Sequence, residues 1–218
     1  QGIDDERDEA IRNSLQVAFS SIIVRVSNQD SDTRYAAIKK NVTASDVPLL
    51  FLRAAQSIER ALASTWPANI SPPPVRIINK DVLTVDADDI GRRVSLVVSS
   101  PPYPNAYEYW LYHKYRMYWL GMDPIAVRER EIGARPHYFK KKPQTATDFE
   151  NQMATVFRLL SRVLLPGGHA CFQVGRSVIH GNYVNNSELL SRAAATAGFR
   201  KILGVAREIP LRRKAFNP

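Results

Sequence analysis

Val94-Ser95-Leu96-Val97-Val98, followed at once by Ser99-Ser100-Pro101-Pro102-Tyr103, is the stretch on which the reading of the fold turns. Its first five residues form a short, mostly apolar run rich in valine, which suits a strand in a sheet covered on both faces. Two successive prolines cannot continue that strand, because each ring fixes φ and removes an N–H donor. The chain therefore stiffens and leaves carbonyls outside the ladder. In open α/β sheets, ligands bind beyond the carboxyl ends of strands. The position predicts a polar cradle in which Tyr103 offers a flat ring beside acceptors from Ser100 and the proline backbone, an arrangement suited to a planar base that carries an amino group.

Working outward, Val75-Arg76-Ile77-Ile78 reads as a short strand leading to Asn79-Lys80-Asp81. Met153, Val156, Phe157, Leu160 and Leu164 mark a helix over 148–165, stopped by Pro166-Gly167-Gly168. A third strand is expected over 170–174 and a helix over 187–197, with Gly198 in the position of a left-handed cap, and a last strand over 199–205. Strand alternating with helix argues for an α/β sheet. Before Ser71-Pro72-Pro73-Pro74 the texture is helical. Acids lead apolar positions Ile11, Leu15 and Ala18 over 4–19, a polar loop runs from Asn28 to Tyr35, and a second helix spans 47–64 with Leu49, Leu52, Ile58, Ala61 and Leu62 as its buried stripe. The expected organisation is a helical part at 1–74 followed by a larger α/β part at 75–218.

The 218 residues, 44% hydrophobic and 23% charged, are enough to build a substantial core. Thirty basic residues against 21 acidic ones give a net charge of +9, which favours a polyanionic partner, nucleic acid foremost. The single cysteine, Cys171, cannot form an internal disulfide or a cysteine-rich zinc site, so a cytoplasmic location is expected. No apolar run approaches the ~20 residues of a membrane helix. His113, His137, His169 and His180 lack metal-ligand spacing, and no metal is expected.

Ser100-Pro101-Pro102-Tyr103 resembles the catalytic motif of S-adenosylmethionine-dependent amino-methyltransferases, whose general form is Asp/Asn/Ser-Pro-Pro-Tyr/Phe. The serine version is most similar to the DNA cytosine-N4 group. Leu164-Leu165-Pro166-Gly167-Gly168 and the strand after it resemble that family's Pro-Gly-Gly turn and fifth strand, with Val94 to Val98 as the fourth. The resemblance implies a Rossmann-like methyltransferase sheet with flanking helices, S-adenosylmethionine as cofactor, catalytic Ser100, Pro101, Pro102 and Tyr103, and cofactor contacts from Asp81 and Ser99. It covers roughly 75–205. The family's Gly-rich turn after a first strand is not found, and the chain opens Gln1-Gly2-Ile3 without an initiator Met. An upstream segment or companion chain is therefore expected to supply that turn and the missing N-terminal strands.

The chemistry so implied needs no covalent enzyme intermediate. Acceptance of amino protons by Ser100 Oγ and the Pro101 carbonyl would localise the nitrogen lone pair, and positioning would supply most of the rate. A base in a duplex would have to be flipped out and stacked on Tyr103. Beyond the motif, Tyr107, Lys114 and Arg116 lie in a stretch crowded with rings and cations, while Arg128, Arg130, Arg135, Lys140, Lys141 and Lys142 form a basic run able to follow a phosphate backbone. Packing and solvated surface compete with that role at each position. Adenine-N6 or RNA-base methylation is the near alternative. A non-catalytic nucleic-acid-binding scaffold with a decayed methyltransferase fold is the alternative of another class.

Overall fold

The computed structural model describes residues 2–32, 34–65, 71, 73–105 and 107–207. In chain order its elements are α1 (Glu9–Val26), β1 (Gln29–Ser31), β2 (Arg34–Ala37), α2 (Asp46–Thr65), α3 (Ala87–Ile90), β3 (Val94–Ser99), α4 (Tyr109–Tyr112), α5 (Lys114–Trp119), α6 (Pro124–Arg130), a 3-10 turn (Arg135–Tyr138), α7 (Ala146–Val163), β4 (Leu164–Phe172), β5 (Ser177–Ile179), β6 (Asn182–Val184) and α8 (Asn186–Ala195). The protein is mixed α/β. Two compact units interleave along the chain: residues 1–79 with 104–140, and 80–103 with 141–218.

In the first unit, Asp8 caps α1 by accepting from the Ala10 and Ile11 amides at 2.8 and 3.1 Å, satisfying donors that a helix start otherwise leaves orphaned. The helix runs on to Val26 because Ile22, Ile23 and Val24 complete its buried side against α2 and α5. The expected polar loop is instead a small antiparallel hairpin, β1–β2. Its polar side chains have internal partners: Asp32 pairs with Arg116, and the Tyr35 ring stacks on Tyr115 at 5.8 Å. The stripe assigned to α2 is not buried. Leu49, Leu52 and Leu62 are exposed and only Leu50 lies in the core, since α1 covers a different face of the helix from the one the spacing suggested.

The second unit is built on β3 and β4, a parallel pair in which Leu96, Val97, Val98 and Ser99 face His169, Ala170, Cys171 and Phe172. The α7 helix starts with a reciprocal capping box between Thr145 and Asp148, and its apolar stripe Phe149, Met153, Phe157, Leu160 and Val163 is buried. Phe157 meets Phe172 of β4 at 5.1 Å and Phe199 at 5.6 Å. The opposite face of the pair is open: Leu96 is 57% and Val98 72% exposed, and Cys171 is exposed beside them. This corrects the expectation of a sheet covered on both faces.

The broad Rossmann-like sheet is likewise not present among the described residues, where β3 and β4 form a two-stranded sheet. Residues 75–78 and 200–205 carry β-favouring side chains but form no strand and lie exposed. A strand is stabilised by cross-strand partners, and neither segment has one in a sheet. Among the described residues no helix is long and apolar enough to cross a membrane.

Candidate active site

The site is assembled at the carboxyl ends of β3 and β4. Because the two strands are parallel, both end on the same side, and the Gln173 amide extends the ladder by donating to the Ser99 carbonyl at 3.0 Å. Ser100 follows, exposed, with its hydroxyl donating to the Gln173 carbonyl across a long 3.4 Å contact. A hydroxyl has one proton and two lone pairs. At that length the Gln173 contact is weak, and Oγ keeps its lone pairs available to accept. Pro101 is buried and Pro102 and Tyr103 are half-buried, so the loop is anchored at its first proline.

Tyr103 turns back onto the loop after β4. A Cβ built on Gly175 would stand 3.3 Å from Tyr103 Cε2 and 3.6 Å from Cζ, so the ring lies directly on the Gly175 backbone. That backbone is tied down by Asn186, the first residue of α8 and only 2% exposed, whose Nδ2 donates to the Gly175 carbonyl and to Ser177 Oγ, both at 2.8 Å. Sequence reasoning did not assign Gln173, Gly175, Ser177 or Asn186 to the site. The signal was available in the pairing rule: a strand running parallel beside β3 must deliver its own terminal loop next to Ser100-Pro101-Pro102-Tyr103.

Asp81 lies in the same unit, half-buried, in a turn that leads to α3. Its Oδ1 accepts from the Leu83 amide at 3.0 Å and its carbonyl accepts from the Thr84 and Val85 amides, so the residue organises its own turn. Ser99 closes β3 and contributes its carbonyl to the ladder.

The aromatic and basic residues of 107–140 belong to the first unit. Tyr107 stacks on Tyr109 at 5.5 Å, and Lys114 sits over the Tyr118 ring at 5.8 Å. Arg116 is committed inward: Nε donates to the Ser20 carbonyl at 3.0 Å, Nη1 approaches His113 Nδ1 at 3.0 Å, and Nη2 bonds Asp32. Burial, then the Arg116 charge, holds His113 below the ordinary histidine pKa. Arg128 lies over Trp110 at 5.4 Å and shares Glu129 with Lys140, each at 2.8 Å. Hydrogen bonds from Lys140 and then Arg128 lower the Glu129 pKa to about 2. The basic run is therefore partly neutralised within itself. Arg130 bonds the Ala126 carbonyl at 3.3 Å and Arg135 lies over the exposed Phe139 ring at 5.6 Å. Lys141 and Lys142 are exposed and fall in the second unit.

Glu131 is the opposite case from Glu129. Its carboxylate accepts from the Tyr109 and Trp110 amides, both at 2.9 Å, and fixes the start of α4, yet burial raises its pKa above the ordinary value. Comparison with family models, with curated proteins and with solved structures finds no match.

Proposed function

We propose that this chain carries the target-amine half of an S-adenosylmethionine-dependent amino-methyltransferase acting on DNA, with cytosine N4 the preferred acceptor. The observation that carries the reading is that the exposed Ser100, and the Tyr103 ring backed by Gly175, both lie in the loops at the ends of two adjacent parallel strands. A flipped cytosine stacks on Tyr103 and donates its amino hydrogens to Ser100 Oγ and the Pro101 carbonyl. Those bonds draw the nitrogen lone pair out of the ring and aim it. The cofactor, when bound, supplies an already activated sulfonium methyl group.

The residues present fit the acceptor side of that reaction better than the cofactor side. Asp81 is a candidate contact, but its carboxylate already serves its own turn, and among the described residues no Gly-rich turn follows a strand to cradle the methionine part. A further polypeptide segment, joined to this chain or separate, supplies the turn. The open face of β3 and β4, with Leu96, Val98 and Cys171, supports the need for such a companion, since parallel strands are ordinarily covered on both faces. For the phosphate backbone, the exposed Lys141 and Lys142, in the same unit as Ser100, are the leading candidates, while Arg116, Arg128 and Lys140 are held by carboxylate or carbonyl partners.

Radiolabelled methyl transfer to DNA and RNA oligonucleotides tests the reading, with the chain alone and with its companion segment. Transfer to cytosine N4 in DNA that needs the companion, and that falls about 100-fold in Ser100→Ala with DNA binding retained, is the expected result. Preferred transfer to RNA or adenine selects the near alternative. Nucleic-acid binding without transfer in any combination selects the scaffold.

A further inference from the structure

We propose that Gly175 is a positioning residue for Tyr103: the missing side chain at 175 sets where the ring lies, and Asn186 holds the glycine in place to do so. The inference rests on the proposed role of Tyr103 as the stacking ring. Gly175 is not among the glycines with positive φ, so its backbone conformation is open to any residue. What excludes a side chain is space. An added Cβ would meet Cε2, Cζ and Cδ2 of the one ring at 3.3, 3.6 and 3.8 Å, and those are the three nearest atoms. Adding a methyl group there pushes on Tyr103 and on nothing closer.

The glycine cannot retreat to relieve the contact. Its carbonyl is bound by Asn186 Nδ2 at 2.8 Å, and the same amide group binds Ser177 Oγ at the start of β5. Asn186 is itself fixed, buried in the first turn of α8, which packs on α7. The ring must therefore move by a few tenths of an ångström. In a reaction that depends on the aim of a stacked base, a displacement of that size costs about tenfold in rate. Asn186→Ala loosens the same backing from the other side.

The test is a double-mutant comparison, with 3-fluorotyrosine placed at position 103 as a reporter of the ring. Gly175→Ala is expected to shift the fluorine resonance and lower the melting temperature in the parent, and to leave the melting temperature unchanged in a Tyr103→Ala background, where the ring is gone. Tyr103→Leu replaces Tyr103→Ala if the alanine variant does not fold. Gly175→Ala folding only when Tyr103 is truncated also supports the inference. In the complete enzyme, Gly175→Ala lowers kcat/KM for methyl transfer about tenfold. An equal melting loss in both backgrounds, or an unshifted fluorine signal, overturns the role of Gly175. Absence of transfer in the parent removes the proposed function, while the fluorine and melting measurements still decide whether Gly175 places the ring.

Discussion

Replacing Gly168 with alanine tests how β4 is fitted to β3, and its neighbour Gly167 provides the control. The register between the strands jumps here, from Val94 opposite Leu164 to Leu96 opposite His169, and the Leu165-Pro166-Gly167-Gly168 segment takes up the difference. A Cβ on Gly168 would lie 2.9 Å from the Leu165 carbonyl oxygen, 3.0 Å from the Ser95 carbonyl oxygen and 3.0 Å from Leu164 Cδ2. Two of those are backbone atoms, so relief requires moving β3 itself, an overpacking cost of about 2 kcal/mol. Gly167 has φ +76° and open space around it. Alanine there costs about 1 kcal/mol for the left-handed conformation alone, and asparagine costs less because it tolerates that conformation. Trp110 and Trp119 report on the first unit, so the assay is native-state hydrogen exchange in peptides covering 94–99 and 164–172. Exchange in Gly168→Ala should be about thirtyfold faster than in the parent and in Gly167→Ala about fivefold. Gly167→Asn should recover part of its loss, whereas Gly168→Asn should recover none. Equal penalties for alanine at the two sites, or no advantage for asparagine at 167, would refute the reasoning.

Arg116→Met should destabilise the first unit by about 2–3 kcal/mol, read from urea unfolding by tryptophan fluorescence, because two internal bonds from a charged donor are lost while the half-exposed Asp32 pair adds little. An effect near zero would restore Arg116 as an available phosphate ligand. Glu129 and Glu131 should titrate on opposite sides of 4.5 in carboxyl carbon NMR. Glu129, with its pKa lowered, supports the fold above 4.5 and loses that support as pH falls through about 2. Glu131, with its pKa raised by burial, contributes most below 4.5 and loses that contribution as pH rises through its folded value. Coincident titration of the two would contradict the assigned environments.

The elements that specify themselves locally were legible in the sequence. The apolar residues of α7 recur at helical spacing, placing the helix to within two residues at each end, and Gly198 takes the left-handed conformation at φ +83° that its place after α8 suggests. The strand before the diproline corner was legible for the same reason, since the prolines fix its end. What failed depends on partners far away in the chain. Val75, Ile77, Ile202 and Leu203 have the composition of strands, but among the described residues no strand pairs with them, and the stripe of α2 was misread because packing against α1 decides which of its faces is covered. At the candidate site, Ser100 and Tyr103 were singled out by their own motif. Gly175 and Asn186 were not assigned, because the contact of Gly175 with Tyr103 and the bond from Asn186 to the Gly175 carbonyl follow from laying β4 beside β3, not from their neighbours in sequence. Arg116 looked like surface charge because nothing in its neighbouring residues reveals Ser20 or Asp32.

The claim that Ser100 and Tyr103 receive a planar amine is tested most directly by amide NMR of this chain titrated with cytidine and with N4,N4-dimethylcytidine, which has no amino hydrogen to donate. Cytidine should perturb Ser100, Tyr103 and Gly175 together, Ser100→Ala should weaken that response, and the dimethylated nucleoside should leave the three signals in place. Equal responses to both nucleosides, or perturbations confined to other residues, would contradict the claim.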